Sequence, residues 1–372
     1  MSPPPPLRRP PAPLELMEEI LGEILLRIPP EEPAHLARAA LVSKPWLRVV
    51  SDPAFRRGYR ELHRKPPLLG FVHNLYDEGP IPRFVSTVAS PCSSPPPLGC
   101  RTWWALDSRH GRVLIHRHGP SDLVVWDPTT GDQQHLPLPP YPHAYYTGAV
   151  LCAKAGCDHL DCTGGPFLVV FVGTEDEEGS TWASMYSSET GGWSAMAIAD
   201  LSASTAVDLH SYIEAKPSAL IGDALYFTLE LGKAVLKYDL AERSLTTVYA
   251  PETDGEMETG IFMAAEDGGL GFASIEGDNL HLWSWTGDGN TAGWKRCRVI
   301  RLQGLLPDRD PLFSHEVIGF AEGLDIIFLE TPKAGVFTID LNSEKSRKVG
   351  ETGGYYAVLP YMSFCGPGQR AN

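Results

Sequence analysis

The stretch WWALDSRHGRVLIHRHGPSDLVVWDPTTGDQQHL, residues 103–136, decides the fold. It holds four short runs of strand length: Trp103-Trp104-Ala105-Leu106, Arg112-Val113-Leu114-Ile115, Leu123-Val124-Val125-Trp126 and Gln133-Gln134-His135-Leu136. The joints Asp107–Gly111, His118–Ser121 and Asp127–Asp132 each set glycine beside Asp, Ser or Pro, as tight turns require. The stretch therefore reads as one small antiparallel sheet of four strands.

The same pattern returns along the chain. Ser218–Tyr249, Ile261–Val299 and Glu316–Val349 repeat it, and Ala149–Met196 is a looser copy with a long first connection. A unit recurring every roughly 45 to 60 residues marks propeller blades or solenoids. That gives about five complete units and two remnants, Leu68–Val72 with Phe84–Thr87 and Tyr355–Leu359 with Met362–Phe364. Together the remnants make one more sheet, closed by both ends of the domain, which removes open strand edges. The expectation is an all-β propeller of about six four-stranded blades, five or seven also fitting the count.

Composition agrees with many short strands. The 372 residues include 36 Gly and 34 Pro, with 43% hydrophobic and 21% charged residues. The net charge is −15, which argues against nucleic acid as a partner. Residues 1–65 carry 11 Lys and Arg against 8 Asp and Glu, a balance of +3, so the remainder holds −18. Seven cysteines without framework spacing, and no apolar leader, read as a reduced cytoplasmic or nuclear protein with no membrane span.

Ahead of the strands the period is helical. Met17, Ile20, Leu21, Ile24, Leu25 and Ile28 recur at three- and four-residue steps, and Pro29-Pro30 stops the run. A second helix starts near Pro33 and a third is capped by Ser43 with Pro45 in its first turn. Asp52-Pro53 repeats the cap-then-proline device. The expected division is a disordered Pro-rich leader at 1–13, an all-α module at 14–65, the β-propeller at 66–366 and a disordered tail at 367–372. The change of period and charge near Lys65 predicts separate cores, and a helical module this small needs a partner surface.

The run Leu16–Pro29, followed by Ala40-Leu41-Val42-Ser43-Lys44-Pro45-Trp46, resembles the F-box, with Met17 where that family usually has proline. The strings Asp107–Arg112, Trp126-Asp127-Pro128 and Cys157–Cys162 resemble the β-propeller-type F-box-associated domain of plant F-box proteins, especially a grass group. The resemblance implies the substrate-recognition subunit of a Skp–cullin–F-box ubiquitin ligase. It implies adaptor contact at Leu16, Met17, Ile20, Leu21, Ile24, Pro29, Val42 and Trp46, with the propeller holding an unnamed protein substrate. The rivals are an adaptor-binding scaffold or decoy, and a propeller lectin or enzyme.

Chemistry-bearing motifs are few. Cys152 and Cys157-Asp158-His159-Leu160-Asp161-Cys162 offer zinc-type donors. No second ligand pair follows, and Cys152 lies in an apolar run. The favoured reading is a polar β-turn in which Asp158 and Asp161 bond local amides, with no metal and no cofactor expected. His116-Arg117-His118 reads as a solvated strand end, and Arg109, His110 and Arg112 as braces of neighbouring loops. Nucleophile-elbow, zinc-protease, phosphate-loop and dinucleotide motifs are absent, so a non-catalytic receptor is expected. Candidate substrate loops are the longer connections 156–166, 174–180, 252–260 and 306–314.

Overall fold

The computed structural model describes residues 17–75, 83–88, 103–118, 121–162, 164–176, 180–199, 212–229, 232–251, 260–287, 293–307 and 314–364. The leader, the tail, Leu16 and most of the 252–260 and 306–314 connections lie outside these residues.

Among the described residues four helices come first: α1 (Glu18–Leu26), α2 (Pro33–Val42), α3 (Lys44–Ser51) and α4 (Pro53–His63). Ser43 Oγ accepts from the Trp46 amide at 3.5 Å, and Asp52 Oδ1 accepts from Ala54 and Phe55 at 2.6 and 3.3 Å. Proline sits in the first turn of α2, α3 and α4, where its missing N–H costs nothing. The repeated cap at Asp52 thus opens a full helix.

Six sheets follow. β1 (Leu68–Leu75) and β2 (Arg83–Ser86) wait for a strand from the far end of the chain. β3 (Trp103–Arg109), β4 (Arg112–His118), β5 (Ser121–Trp126) and β6 (Gln133–Leu136) pair in sequence order. β7 (Tyr145–Cys152), β8 (Phe167–Thr174) and β9 (Thr181–Ser187) continue, with β10 (Gly192–Trp193) and β11 (Ala197–Ile198) both on β9. The next blade is β12 (Ala219–Ile221), β13 (Ala224–Leu229), β14 (Ala234–Asp239) and β15 (Leu245–Tyr249). β16 (Gly260–Ala264), β17 (Leu270–Glu276), β18 (Asn279–Thr286) and β19 (Gly293–Arg301) form the fourth. β20 (Glu316–Ala321), β21 (Ile326–Thr331), β22 (Gly335–Asp340) and β23 (Lys345–Gly350) form the fifth.

The ring closes as the sequence pattern predicts, by both ends of the domain. β24 (Tyr355–Met362) pairs antiparallel with β1, from Leu75↔Tyr355 to Leu68↔Met362, and β1 pairs with β2. Two expected C-terminal pieces are one strand, because Pro360 does not break it: β24 is the inner edge of its sheet and leaves that N–H position unpaired. Among the described residues this closing sheet has three strands. The first strand of each other blade, and β24 in the last, face their neighbours around the axis, as in the contacts of β24 with β20 and β3.

The helices form a cluster of their own that also takes in two residues from the strand domain. Leu21, Leu25, Leu36, Val50 and Tyr59 of the helices bury together with Phe364, just past β24, and Leu160 of the β7–β8 connection packs on them. Tyr59 donates to Ile28 O at 2.8 Å and meets Phe364 edge-on at 6.1 Å. The helices therefore sit against the ring at the ends of β7 and β24, a contact no local pattern encodes.

Candidate functional site

The inner strands run from one mouth of the ring to the other. Their starts surround a cavity of about 580 Å³: Trp104 on β3, Tyr145 and Tyr146 on β7, Glu316 on β20, Tyr356 on β24, and Tyr212–Lys216 before β12. Tyr145 and Tyr212 lie 4.8 Å apart, and Trp104 and Tyr356 5.7 Å. Lys216 pairs with the buried Glu214 at 3.3 Å. The Trp104 indole N–H is buried without a hydrogen-bond partner among the described residues. An aromatic hollow with a few convergent polar groups suits capture of a protruding side chain or peptide segment.

One wall of the mouth rests on a histidine that the sequence reading placed in solvent. His116 is 4% exposed. Its Nδ1 lies 2.6 Å from Tyr146 OH and its Nε2 3.2 Å from Ser121 Oγ. Burial pushes the imidazole down to about 4 and the Tyr146 phenol up to about 12. His116 is thus neutral at pH 7 and fixes the tyrosine. The reading fails because alternation along β4 could not reveal which of its faces the next blade covers.

At the opposite mouth the strand ends meet the helices. Ser108 and Arg109 of β3, Met362 of β24 and Glu322 line a cleft of about 290 Å³ with Arg60 and Arg64. Arg109 is buried and braces, as the sequence reading favours: Nη1 donates to Asp107 at 2.8 Å and Nη2 to Ser218 O at 2.8 Å and Glu322 at 3.0 Å. Asp107 also accepts from the Val150 amide at 2.8 Å, and Glu322 from that of Leu220 at 2.9 Å. Burial raises Asp107 to about 6 against the opposing pull of Arg109.

The helical surface divides the residues assigned to adaptor contact. Met17, Ile20 and Ile24 stand out at 62, 42 and 45% exposed, and Pro29 and Val42 are exposed as well. Leu21 is not available: at 2% exposed it belongs to the module's core, and Trp46 is half-buried against that core. The apolar stripe of α1 is wider than the face its neighbours cover, so part of it turns inward and part stays out. Leu41, Leu47 and Leu62, outside the assignment, are also exposed. Six of the eleven exposed large hydrophobics among the described residues lie on these four helices and a seventh, Met17, caps α1, which marks the module as an unpartnered surface.

Comparison with known proteins identifies the strand domain. The family described as F-box protein AT5G49610-like, β-propeller, matches residues 104–367. The chain belongs to this family. The F-box protein At5g03970 of Arabidopsis thaliana is 25% identical over 312 residues, covering 77% of this chain and 69% of that protein. Likeness to solved structures is remote. A functionally unknown protein from Desulfotomaculum acetoxidans gives a TM-score of 0.40 at 10% identity, covering 79% of this chain and 89% of its own. Citrobacter koseri AztD gives 0.34 at 11%, covering 72% and 75%. As an F-box propeller protein the chain has the general place of an F-box substrate receptor.

Two further sequence expectations change in this F-box propeller. The 156–166 connection, a candidate for substrate, leaves β7 at the helical end of the ring, away from the aromatic mouth. Within it Asp158 accepts from the Leu160 amide at 3.1 Å, a local turn as expected, but Asp161 reaches across to Arg60 of α4. Cys152, read as a strand residue, and Cys157, His159 and Cys162, read as part of a turn, bring their donor atoms within 4.8 Å of one another. Cys152 reaches this group from the end of β7. No helix among the described residues is long and apolar enough to cross a membrane.

Proposed function

We propose that the chain is the substrate-recognition subunit of a Skp–cullin–F-box ubiquitin ligase of the cytoplasm or nucleus. The observation that carries this reading is the division of labour between the two ends of the ring. The helical module, with Met17, Ile20, Ile24, Pro29 and Val42 exposed, packs at one end, and the aromatic hollow opens at the other. A Skp-type adaptor covers the exposed apolar residues of the helices, and Leu16 and Trp46 complete that contact by the F-box resemblance. A protein substrate enters the mouth lined by Trp104, Tyr145, Tyr212 and Tyr356, so adaptor and substrate bind without competing for surface. The ubiquitin chemistry belongs to the partner enzymes, and the chain supplies binding only.

The test is reconstitution. The full chain, co-expressed with a plant Skp-type adaptor, co-purifies with it, and the pair Ile20→Asp with Ile24→Asp abolishes the association while the propeller stays folded. A folded double variant that binds the adaptor at full strength places the interface elsewhere. A captured protein whose lifetime is the same with and without this chain would make the chain a scaffold instead of a receptor.

A further inference from the structure

The β7–β8 connection folds its own donors into a cage. Cys152 ends β7, and its amide is held by His110 Nδ1 at 3.1 Å. The turn at Lys154–Cys157 brings the second thiol back, with Cys157 N donating to Lys154 O at 3.2 Å. His159 takes a left-handed backbone, φ 59°, unusual for a side chain of its size, and this aims Nδ1 at Cys162 Sγ, 3.6 Å away. Cys157 Sγ and Cys162 Sγ stand 3.8 Å apart.

Two of these separations equal the edges of one coordination geometry, and the full set, within 4.8 Å, has about 1 Å to close around an ion. With bonds of about 2.3 Å to sulfur and about 2.05 Å to nitrogen, the edges of a zinc tetrahedron are about 3.8 Å between sulfurs and about 3.6 Å between sulfur and nitrogen. A disulfide would need the sulfurs at about 2.05 Å. The surroundings are those of a supported ligand set. The His110 ring stacks on His159 at 4.0 Å with 12° between planes. Arg112 Nη2 donates to the carbonyls of Cys162 and Gly165 at 2.5 and 2.8 Å, pinning the loop behind the ligands. Three thiols and one imidazole select a borderline-soft, tetrahedral ion over calcium or magnesium.

We propose that Cys152, Cys157, His159 and Cys162 form a structural Cys₃His zinc site whose loop clasps the helical module to the propeller. On binding, the three thiols release their protons to solvent and the neutral imidazole coordinates through Nδ1, its proton on Nε2. The three thiolates leave the filled site with one net negative charge, beside the Arg112 guanidinium. Four protein ligands close the sphere and leave no position for water, so the role is structural. The clasp follows from what lies between the ligands. Leu160 packs on the buried cluster of the helices, and Asp161 pairs with Arg60 of α4. The ion would thereby set how the adaptor-binding module sits on the ring, a role beyond adaptor and substrate binding.

The full chain, purified with its adaptor under reducing conditions and dialysed against metal-free buffer, is assayed by elemental analysis. About one zinc per chain is expected, lost in Cys157→Ser with Cys162→Ser and kept in Cys297→Ser, an exposed thiol elsewhere. Should the double variant fail to fold, cobalt titration of the native chain decides the matter. It should give thiolate charge-transfer and tetrahedral visible bands, with His159→Cys retaining the ion at shifted wavelengths. Removal of zinc should raise amide exchange both in 153–162 and in α4. The site is overturned if the native chain holds under a tenth of an equivalent and its thiols react as free, or if rapid alkylation traps a Cys157–Cys162 disulfide. Unchanged exchange in α4 after chelation overturns the clasp.

Discussion

Arg109 and Glu322 form a two-point contact at the axis of the ring, Nε and Nη2 donating to the two carboxylate oxygens at 3.2 and 3.0 Å. The partners come from the blades begun by β3 and β20, which are not neighbours, and Ser218 brings the β12 blade to the same guanidinium. Three alternate blades are thus tied at one buried charge. Removing that charge leaves Asp107 and Glu322 without it, a loss of about 3–5 kcal/mol for a broken buried pair. Arg109→Leu should therefore lower the midpoint of chemical denaturation far more than Glu322→Gln, which keeps an acceptor for the Leu220 amide. Lysine cannot reproduce the fork and should rescue little. Near-equal midpoints for Arg109→Leu and the parent would show that the ring closes without this hub.

Two buried groups give opposite pH slopes. The pKa of His116 falls from 6.5 to about 4 on folding, so its contribution is present above 6.5 and lost as pH drops towards about 4. The groups facing it, His118, His143 and Asp122, are outweighed by burial. Asp107 is raised from 3.8 to about 6, so its contribution is complete below 3.8 and lost as pH rises through about 6. Melting temperatures between pH 7 and pH 4.5 test both. His116→Gln should flatten the acid loss, and Asp107→Asn should steepen it. The same slope in all three proteins would assign the acid response to other groups.

Adjacent positions on α1 should behave differently. Leu21→Asp places a carboxylate in the cluster of Leu25, Leu36 and Tyr59, at a cost of several kcal/mol, and should unfold the helical module. Ile24→Asp, at an exposed position, should leave the helical circular dichroism intact and weaken adaptor binding alone. If Leu21→Asp keeps its helices and merely loses the adaptor, the inward face of α1 has been assigned wrongly.

The blades were legible because each strand carries its own period and each turn its own glycine, as with Gly191 at φ 69° and Gly268 at φ 79°. Closure was legible from the unpaired remnants at both ends. Contacts between distant segments were not. Nothing near Phe364 or Leu160 announces that both pack on the helical cluster, and nothing in His116-Arg117-His118 says that the first ring is covered by Tyr146. The cysteine segment was visible as donors, Cys152 among them, but spacing alone does not say that the end of β7 comes back to the other three. The mouth leaves a trace in the sequence. Trp103-Trp104, Tyr145-Tyr146 and Tyr355-Tyr356 all open inner strands, where alternation sends one ring of a pair to each face. Trp103 and Tyr355 are buried in the blades, and Trp104 and Tyr356 turn to the channel.

That placement leads to the test of substrate capture. Tyr212 and Tyr356 are half-buried at the mouth and carry less of the blade cores than Tyr146 or Trp104, so truncating them should spare the fold. An aromatic anchor in a binding hollow is worth about 2 kcal/mol or more, roughly a thirtyfold change in affinity. Tyr212→Ala with Tyr356→Ala should therefore deplete specific proteins from an affinity purification read by mass spectrometry, with adaptor recovery unchanged. Melting temperature within a few degrees of the parent would exclude unfolding as the cause. If the recovered set is the same for parent and variant, substrate does not enter at this mouth.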